Sequence, residues 1–390
     1  MNAVTTFFES ISPVYQWPVK FCAATTLVVW ILSVLTSNVS QVDRLWTFLP
    51  TIYTAYYALL PLWPQEPLFP LCPYTPRDLG WTIVRDFSPR ALLMFGLVFI
   101  WMCRLSYNTH RRGLFRLQDE DYRWAVLRTK IPPWLFQVVN LTFIAVTQSI
   151  LLLSLAFPTK TAAVMQPHDH LVLSDLLLAA LALVDLALEF TADNQQWAFH
   201  SYKHAYLARE KGKSDVEPYD KTQHWPGARL DFTPEDAKRG FITRGLWAYS
   251  RHPNFFCEQS FWWIITFFPL LAPAPPHFPF TPTPHHLIPP LTAIRENPYV
   301  LIPLLRLLLA PLVDFLPALS LSLLFFSSTL FTESISKGKY PREYAAYQQR
   351  VGMFSPLRTW EKGLLLSWQG RRKAVEELVW GRGEKAGKQE

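Results

Sequence analysis

Charge is scarce in this sequence. Asp, Glu, Lys and Arg make up 17% of its 390 residues, whereas a soluble domain normally carries about 25%. Apolar residues reach 50% and aromatic residues 15%. Length alone would fit two or three soluble domains. The apolar residues are concentrated in long uncharged runs, however, and this argues against a soluble protein.

Cysteine is also scarce, and its spacing excludes two classes of site. The chain contains Cys22, Cys72, Cys103 and Cys257, with no Cys-x-x-Cys pair among them. We interpret them as small apolar residues and not as a disulfide framework or a zinc site. The histidine pairs at 168–170 and 285–286 have no further ligands at metal-binding spacing, so no metal site is predicted.

Several catalytic motifs are missing as well. The chain has no Gly-x-Ser-x-Gly elbow, no Walker loop and no His-Glu-x-x-His motif. Residues 381–386 have the glycine spacing of a dinucleotide fingerprint, but neither a preceding strand nor a following helix is predicted there. The polar residues beside the apolar runs are therefore the remaining candidates for chemistry.

The apolar runs predict membrane-spanning helices. A helix needs roughly 20 apolar residues to cross the hydrocarbon core, and several runs of that length carry no charge at all. We predict an all-α, polytopic integral membrane protein with about seven transmembrane helices. The predicted spans are 21–39, 45–63, 91–107, 135–157, 171–190, 256–272 and 315–332.

One predicted span, 171–190, contains three acidic residues, Asp175, Asp185 and Glu189. A charge inside the membrane is costly unless it faces a polar cavity or a partner. We therefore expect these three side chains to point away from lipid.

The basic residues predict an orientation. An N-terminus outside the cytosol leaves 30 of the 37 Lys and Arg residues on the cytosolic side, chiefly in 108–134, 195–255 and 332–390. This bias follows the positive-inside rule, so we expect an exterior or lumenal N-terminus and a cytosolic C-terminus. The net charge of +7 then reflects membrane orientation, and no nucleic-acid partner is predicted. The sequon at Asn38 would face the cytosol and stay unmodified.

We expect three regions along the chain. Residues 1–335 form the membrane domain, which includes a proline-rich insertion at 272–314 whose apolar end lies along the membrane or re-enters it. Residues 336–358 form a cytosolic amphipathic helix that completes a cofactor site. Residues 359–390 form a charged tail, with its last twenty residues frayed.

The first candidate site is the stretch GLWAYSRHPNFFCE at 245–258. Pro253 favours the first turn of a helix and disfavours helical backbone before it, which predicts a helix that starts near Asn254. The free N–H groups of that helix start, together with Arg251 and His252, would attract an anion such as a phosphate. Asn254 and Glu258 would share one helix face, where both could hydrogen-bond a hydroxyl or an amide. The alternative is an interfacial anchor, since basic and aromatic residues often flank spans.

The second candidate site is the stretch YPREYAAYQQRV at 340–351. Pro341 fits the first position of a helix, on which Tyr340, Tyr344 and Tyr347 form one stripe with Val351. Such a stripe usually serves packing, and that alternative stays open beside a ligand-binding role for the hydroxyls.

These stretches together resemble the steroid 5α-reductase-like membrane oxidoreductases, in particular a branch with the signature GLWRYSRHPNYFGE. Shorter segments support the resemblance, which covers roughly 42–124 and 186–358. They are VDRLW at 42–46 followed by Leu49, Pro50 and Tyr53, RLSYN at 104–108, DYRW at 121–124 and ADNQ at 192–195. The resemblance implies a seven-helix membrane domain in the endoplasmic reticulum. It also implies NADPH bound from the cytosolic side and reduction of a carbon-carbon double bond in a sterol-like or other lipid enone.

The resemblance also implies the site residues. The cofactor would be bound by Asp193, Tyr249, Arg251, His252, Asn254, Glu258, Tyr340, Tyr344 and Tyr347. Tyr53, chosen over Tyr56, Tyr57 and Glu189 because the resemblance reaches it, would donate the proton. The sequence departs from the signature at Phe255, where a tyrosine is usual, and at Cys257, where a glycine is usual.

Two other functions fit parts of the same pattern. An S-adenosylmethionine-dependent membrane methyltransferase can share the Arg-His-Pro helix start and a tyrosine-rich tail. A degenerate, non-catalytic lipid-binding protein would explain Phe255 and Cys257. The spacing of Asn254 and Glu258 and of the tail tyrosines favours the reductase, acting on a lipid substrate within the bilayer.

Overall fold

The computed structural model describes residues 10–212, 217–274 and 291–381, and all regular secondary structure within these ranges is helical. The all-α prediction is therefore confirmed. The α-helices are α1 Pro13–Thr36, α2 Gln41–Leu45, α3 Leu49–Ala58, α4 Trp81–Arg85, α5 Pro89–Arg111, α6 Tyr122–Lys130, α7 Pro133–Val139, α8 Gln148–Ser154, α9 Phe157–Val164, α10 Leu173–Glu210, α11 Pro234–Arg239, α12 Pro253–Leu270, α13 Leu291–Glu296, α14 Ile302–Lys339, α15 Pro341–Arg350, α16 Pro356–Trp368 and α17 Arg372–Trp380. A π-helix, Asn140–Thr147, joins α7 to α8. Short 3-10 helices lie at Leu60–Leu62, Arg77–Leu79, Lys221–Gln223, Pro226–Ala228, Gly245–Ala248 and Pro298–Leu301.

Among the described residues, four helical segments are long and apolar enough to cross a membrane, as expected of an integral membrane protein. They are α1, α5, the continuous stretch Pro133–Val164 and the part Leu312–Lys339 of α14. They coincide with four of the predicted spans, 21–39, 91–107, 135–157 and 315–332.

The other three predicted spans have different structures. The run 45–63 is divided among the end of α2, the ten-residue α3 and a 3-10 helix. The run 171–190 forms the first half of α10, and 256–272 lies largely within the 18-residue α12. A count of seven spans stays a prediction.

The chain divides into two compact units, which differ from the three predicted regions. One unit comprises Met1–Leu183 and Trp262–Ser322, and we call it the N-terminal unit. The other comprises Val184–Phe261 and Leu323–Glu390, and we call it the C-terminal unit. The chain passes from one unit to the other within α10, α12 and α14, so no proline-rich or polar linker separates them.

In the N-terminal unit, α3 packs against α5, α8 and α9. This core is aromatic, with Trp17 stacked on Tyr56 and Trp101 edge-on to Trp262. Arg90 forms a buried bidentate ion pair with Asp175, at 2.7 and 3.0 Å between nitrogen and oxygen atoms. Asp175 therefore has the partner that a charge in an apolar segment requires.

Helix α10 has an inverted burial pattern over its first half. Most of its large apolar side chains are exposed, and only Leu178 and Leu186 among its leucines are buried; the exposed ones are Leu173, Leu176, Leu177, Leu181, Leu183, Val184 and Leu188. Its acidic side chains Asp175, Asp185 and Glu189 are buried, as predicted. Such a pattern suits lipid as the surrounding solvent.

The C-terminal helices correct two expectations. Residues 372–380, expected to be frayed, form α17, whose Val375 and Val379 pack in one apolar cluster with residues of α15; residues 382–390 lie outside the described residues. Residues 302–314, expected to belong to the insertion, form the start of the long helix α14. Proline is tolerated at the first turn of a helix, which explains Pro303 there. Residues 275–290 of the predicted insertion lie outside the described residues.

Candidate functional site

The stretch 245–258 lies in the C-terminal unit and is held close to α10. Gly245 has a φ of +64°, and a Cβ atom there would come within 2.5 Å of Oε1 of Gln195. The Gln195 amide bridges two chain segments: its Oε1 accepts from the Leu246 N–H at 2.8 Å, and its Nε2 donates to the Gly227 carbonyl at 2.9 Å. A glycine is required at 245 because both its backbone conformation and this close approach exclude a side chain.

The residues just before α12 also pair with the segment after α15. The backbone N–H groups of Arg251 and His252 donate to the carbonyls of Gly352 and Met353, at 2.9 and 3.1 Å. The hydroxyl of Tyr347 donates to the Trp247 carbonyl at 2.5 Å. The start of α12 is thereby fixed by contacts about 100 residues away in the chain.

Arg251 is buried in a bidentate ion pair with Glu333 of α14. Its Nε and Nη2 atoms lie 2.7 and 3.0 Å from the two carboxylate oxygens. Its Nη1 donates to the carbonyl of Val351. The guanidinium has five N–H donors, and this arrangement engages most of them and neutralises the charge.

His252 binds the same carboxylate. Its Nε2 lies 3.0 Å from Oε1 of Glu333, whose Oε2 also accepts from Nε2 of Gln348 at 2.9 Å. Burial lowers the pKa of His252, although Glu333 opposes that shift. Burial, with the nearby positive charge of Arg251, also lowers the pKa of Lys362 to about 8. Glu333 is therefore the counter-charge of a crowded basic cluster.

Helix α12 begins at Pro253, as predicted. Asn254 is buried one position later, and its Nδ2 donates to Oδ1 of the buried Asp193 on α10 at 3.1 Å. Glu258 is buried one turn further along α12. The structure thus brings two of the predicted residues, Asp193 and Asn254, into contact.

The predicted tyrosines have unequal positions. Tyr249 is 62% exposed and lies outside the buried cluster. Tyr340 packs against Gly240, where a Cβ atom would come within 2.2 Å of its hydroxyl oxygen. Tyr344 and Tyr347 are buried edge-on to each other, and burial raises the pKa of both hydroxyls.

These positions favour the packing interpretation of the tyrosine stripe. Tyr344 and Tyr347 belong to the apolar cluster of α15 and α17, with Tyr340 packed against it. The hydroxyl of Tyr347 is engaged by the backbone, so it is not available to a ligand in this conformation. The expected phosphate-binding role of Arg251 and His252 is likewise unsupported by their contacts, because Glu333 already satisfies both.

Tyr53, the predicted proton donor, lies on α3 in the N-terminal unit and is fully buried. Its hydroxyl is next to the Cys22 thiol and has no nitrogen or oxygen partner in the part of the chain that the structure describes. A buried hydroxyl without such a partner is uncommon, because buried polar groups are nearly always hydrogen-bonded.

The two departures from the family signature fill space. The Phe255 ring stacks on His252 with centroids 5.7 Å apart and meets Phe325 edge-on at 4.9 Å. Cys257 is buried. Phe255 therefore packs the basic cluster against α14, a role that needs no hydroxyl.

Glu333 is the residue that the sequence analysis missed. It follows the apolar run 315–332 as the nearest acidic residue, and that position at the end of a span is the one signal in the sequence. No group of three or more His, Cys, Asp or Glu side chains suited to a metal ion occurs among the described residues.

Comparisons with known proteins place the chain in a family. Residues 29–274 match the family described as "Protein of unknown function (DUF1295)". One relative is an uncharacterised protein of Schizosaccharomyces pombe, 29% identical over 329 residues that cover 84% of this chain and 76% of the relative. No solved structure matches the chain. Since the family match extends over more than half of the chain, the protein belongs to the DUF1295 family.

Proposed function

We propose that this protein is a membrane enzyme that uses NADPH to reduce a carbon-carbon double bond in a sterol-like or other lipid enone. The observation that carries the proposal is the buried pair Asp193–Asn254, joined by a 3.1 Å hydrogen bond, with Glu258 buried one turn along the same helix. Buried polar side chains of this kind cost stability unless a partner satisfies them. Their placement at a helix start is typical of a polar ligand site.

The residues fit the carboxamide part of a nicotinamide ring. The Asn254 amide has a second N–H besides the one that it donates to Asp193, and amide and carboxylate side chains are the donor and acceptor types that pair with an amide group. NADPH, when bound, supplies the hydride. The role of Asp193, Asn254 and Glu258 is to bind and orient the ring against the lipid.

The residues fit the phosphate groups less well. Glu333 neutralises the charge of Arg251 and also contacts His252, so we assign these two residues to fixing the start of α12 and not to binding an anion. Glu333 positions this segment, because it links α14 to Arg251, His252 and Gln348 at once.

The assignment of Tyr53 as the proton donor stays a prediction that rests on the resemblance alone.

Ligand-induced stabilisation of the detergent-purified protein tests the proposal. A ligand that binds only the folded protein stabilises it by about 2.7 kcal/mol at a hundredfold excess over Kd. We expect NADPH to raise the apparent melting temperature and S-adenosylmethionine to leave it unchanged. No shift with NADPH would overturn the cofactor assignment.

Two alanine variants locate the binding site. Asn254→Ala should remove the NADPH-dependent shift. Asn140→Ala is the matched control, because Asn140 is also buried and hydrogen-bonded, through Ser33 at 2.8 Å, but belongs to the N-terminal unit. Asn140→Ala should keep the NADPH-dependent shift, although it should lose about as much stability in the absence of ligand as Asn254→Ala does.

An S-adenosylmethionine-dependent methyltransferase is a second candidate, favoured by one feature. Asp185, Glu189, Asp193 and Glu258 are buried acids of the C-terminal unit. Negative charge suits a sulfonium cation better than a polyanion. A thermal shift with S-adenosylmethionine alone would select this candidate, and no shift with any ligand would favour a non-catalytic lipid-binding protein.

We also infer seven membrane spans, with the N-terminus outside the cytosol, the C-terminus in the cytosol, and residence in the endoplasmic reticulum. Engineered sequons test the orientation. Leu68→Asn with Pro70→Thr should be glycosylated, because the loop between the predicted spans 45–63 and 91–107 is expected on the lumenal side. Lys221→Asn with Gln223→Thr should stay unmodified, and the reverse result would invert the topology.

A further inference from the structure

Helix α16, Pro356–Trp368, has an unusual outer surface. Its inner side consists of Thr359, Gly363 and Leu366, which are buried. Its outer side exposes five large apolar side chains. They are Leu357, Trp360, Leu364, Leu365 and Trp368.

The exposure of the two tryptophans is the most informative feature. Trp368 is 87% exposed and Trp360 is 66% exposed. Tryptophan and leucine on one face of a helix are typical of helices that lie in the interface of a bilayer, where the indole ring prefers the headgroup level. A continuous apolar face on a water-surrounded helix marks an interaction site instead of a random surface.

The charges on and after α16 complement an anionic membrane surface. Glu361, the acidic residue within the apolar face, is paired with Arg358 at 2.7 Å and adds no net negative charge. Three exposed basic residues, Arg371, Arg372 and Lys373, follow directly after the helix. Basic residues of this kind attract anionic lipid headgroups.

We propose that α16 lies on the surface of an anionic phospholipid bilayer, with its leucines and tryptophans inserted at headgroup level. The described part of the same chain has four helices suited to crossing a bilayer. A bilayer surface is therefore available to α16 without a second protein. The proposal is independent of the enzymatic activity proposed above.

Spin labels test the proposal on the full chain in nanodiscs. The four native cysteines are replaced by serine, and single cysteines are introduced as Leu357→Cys, Leu364→Cys or Asp231→Cys; Asp231 is an exposed reference position. Collisions of each label with oxygen, which partitions into lipid, are compared with collisions with a water-soluble nickel chelate. We expect oxygen to dominate at 357 and 364 and the chelate to dominate at 231.

Two results would overturn the proposal. Chelate access at 357 and 364 equal to that at 231 would place the face in water. Protection of both labels from oxygen and chelate alike would mean that protein covers the face.

The electrostatic part has its own test. The oxygen preference at 364 should fall when anionic lipid is replaced by phosphatidylcholine, and in the variant Arg371→Gln with Arg372→Gln and Lys373→Gln. An unchanged preference in both would contradict a role for anionic lipid.

A second measurement keeps the native cysteines. Brominated lipids quench tryptophan that touches the bilayer, so Trp360→Phe and Trp368→Phe should each reduce the quenched fraction of the fluorescence. Trp225→Phe, which removes an exposed tryptophan of a polar loop, should not. Equal quenching in all three variants would contradict membrane contact.

Discussion

Helix α10 and the pair α15 and α17 use apolar and charged residues in opposite ways. In the first half of α10, most leucines face outward while Asp175, Asp185 and Glu189 are buried. In α15 and α17, tyrosine and valine form the core and Arg342, Arg372 and Lys373 face outward.

The difference identifies the solvent of each region. Lipid accepts exposed leucine without cost and makes an exposed charge expensive. Water has the opposite effect. Helix α16 combines both patterns, since its apolar face is exposed although it packs beside α15 and α17. This combination is expected of a helix at the boundary between lipid and water.

Loss of Glu333 should have the largest effect on stability. Glu333→Gln leaves the buried Arg251 without its counter-charge and removes the carboxylate that His252 contacts, and removal of one partner of a buried pair costs about 3–5 kcal/mol. The free energy of unfolding in detergent measures this loss. Glu361→Gln is the control, because its pair with Arg358 is exposed and should contribute under about 1 kcal/mol. Equal effects of the two variants would refute the buried cluster.

Loss of the Arg90–Asp175 ion pair of the N-terminal unit should have the second-largest effect on stability. Asp175→Asn leaves the buried Arg90 with Gln166 as its remaining partner, at a cost of about 3 kcal/mol. Because two well-packed apolar residues can replace a buried pair, the double variant Arg90→Met with Asp175→Leu should recover most of the loss. A double variant as unstable as the single one would show that the charges themselves are required.

Removal of one hydroxyl should have a smaller effect. Tyr347→Phe leaves the Trp247 carbonyl without its donor, which should cost about 1–1.5 kcal/mol in unfolding free energy. Tyr249→Phe, at an exposed position, should change stability by less than about 0.5 kcal/mol. If the two variants behave alike, the Tyr347 hydrogen bond does not hold the segment before α12.

The pH dependence should be the smallest effect. Burial lowers the pKa of His252 in the folded protein, so the unfolded chain binds the proton more readily. Stability is then fully present above about pH 6.5 and is lost as the pH falls through the lower folded pKa. The apparent melting temperature should decline over that window.

The variant His252→Gln should flatten this decline, while His204→Gln, at an exposed position, should keep it. An unchanged decline in His252→Gln would assign the effect to another group.

The sequence predicted the features that depend on local pattern. The uncharged runs predicted the four helices suited to the membrane, Pro253 predicted the start of α12, and Pro341 predicted the start of α15. Burial of the acids in α10 followed from the cost of charge in lipid.

The features that depend on tertiary partners could not be predicted. Nothing in the local sequence shows that Glu333 pairs with Arg251, 82 residues away. The position of Tyr347 in the sequence fits packing and ligand binding equally. The hydrogen bond from its hydroxyl to the Trp247 carbonyl favours packing. The helix α17 was missed because its many charges conceal the four-residue spacing of Val375 and Val379.

A binding titration of NADPH by fluorescence, in a double-variant cycle, tests whether Asp193 and Asn254 bind the cofactor. We expect Asp193→Ala and Asn254→Ala each to weaken binding at least about tenfold, equivalent to 1.4 kcal/mol. The double variant should bind no worse than the weaker single one, because the two side chains act as one unit. Full NADPH affinity in all three variants, or no binding to the native protein, would contradict the account.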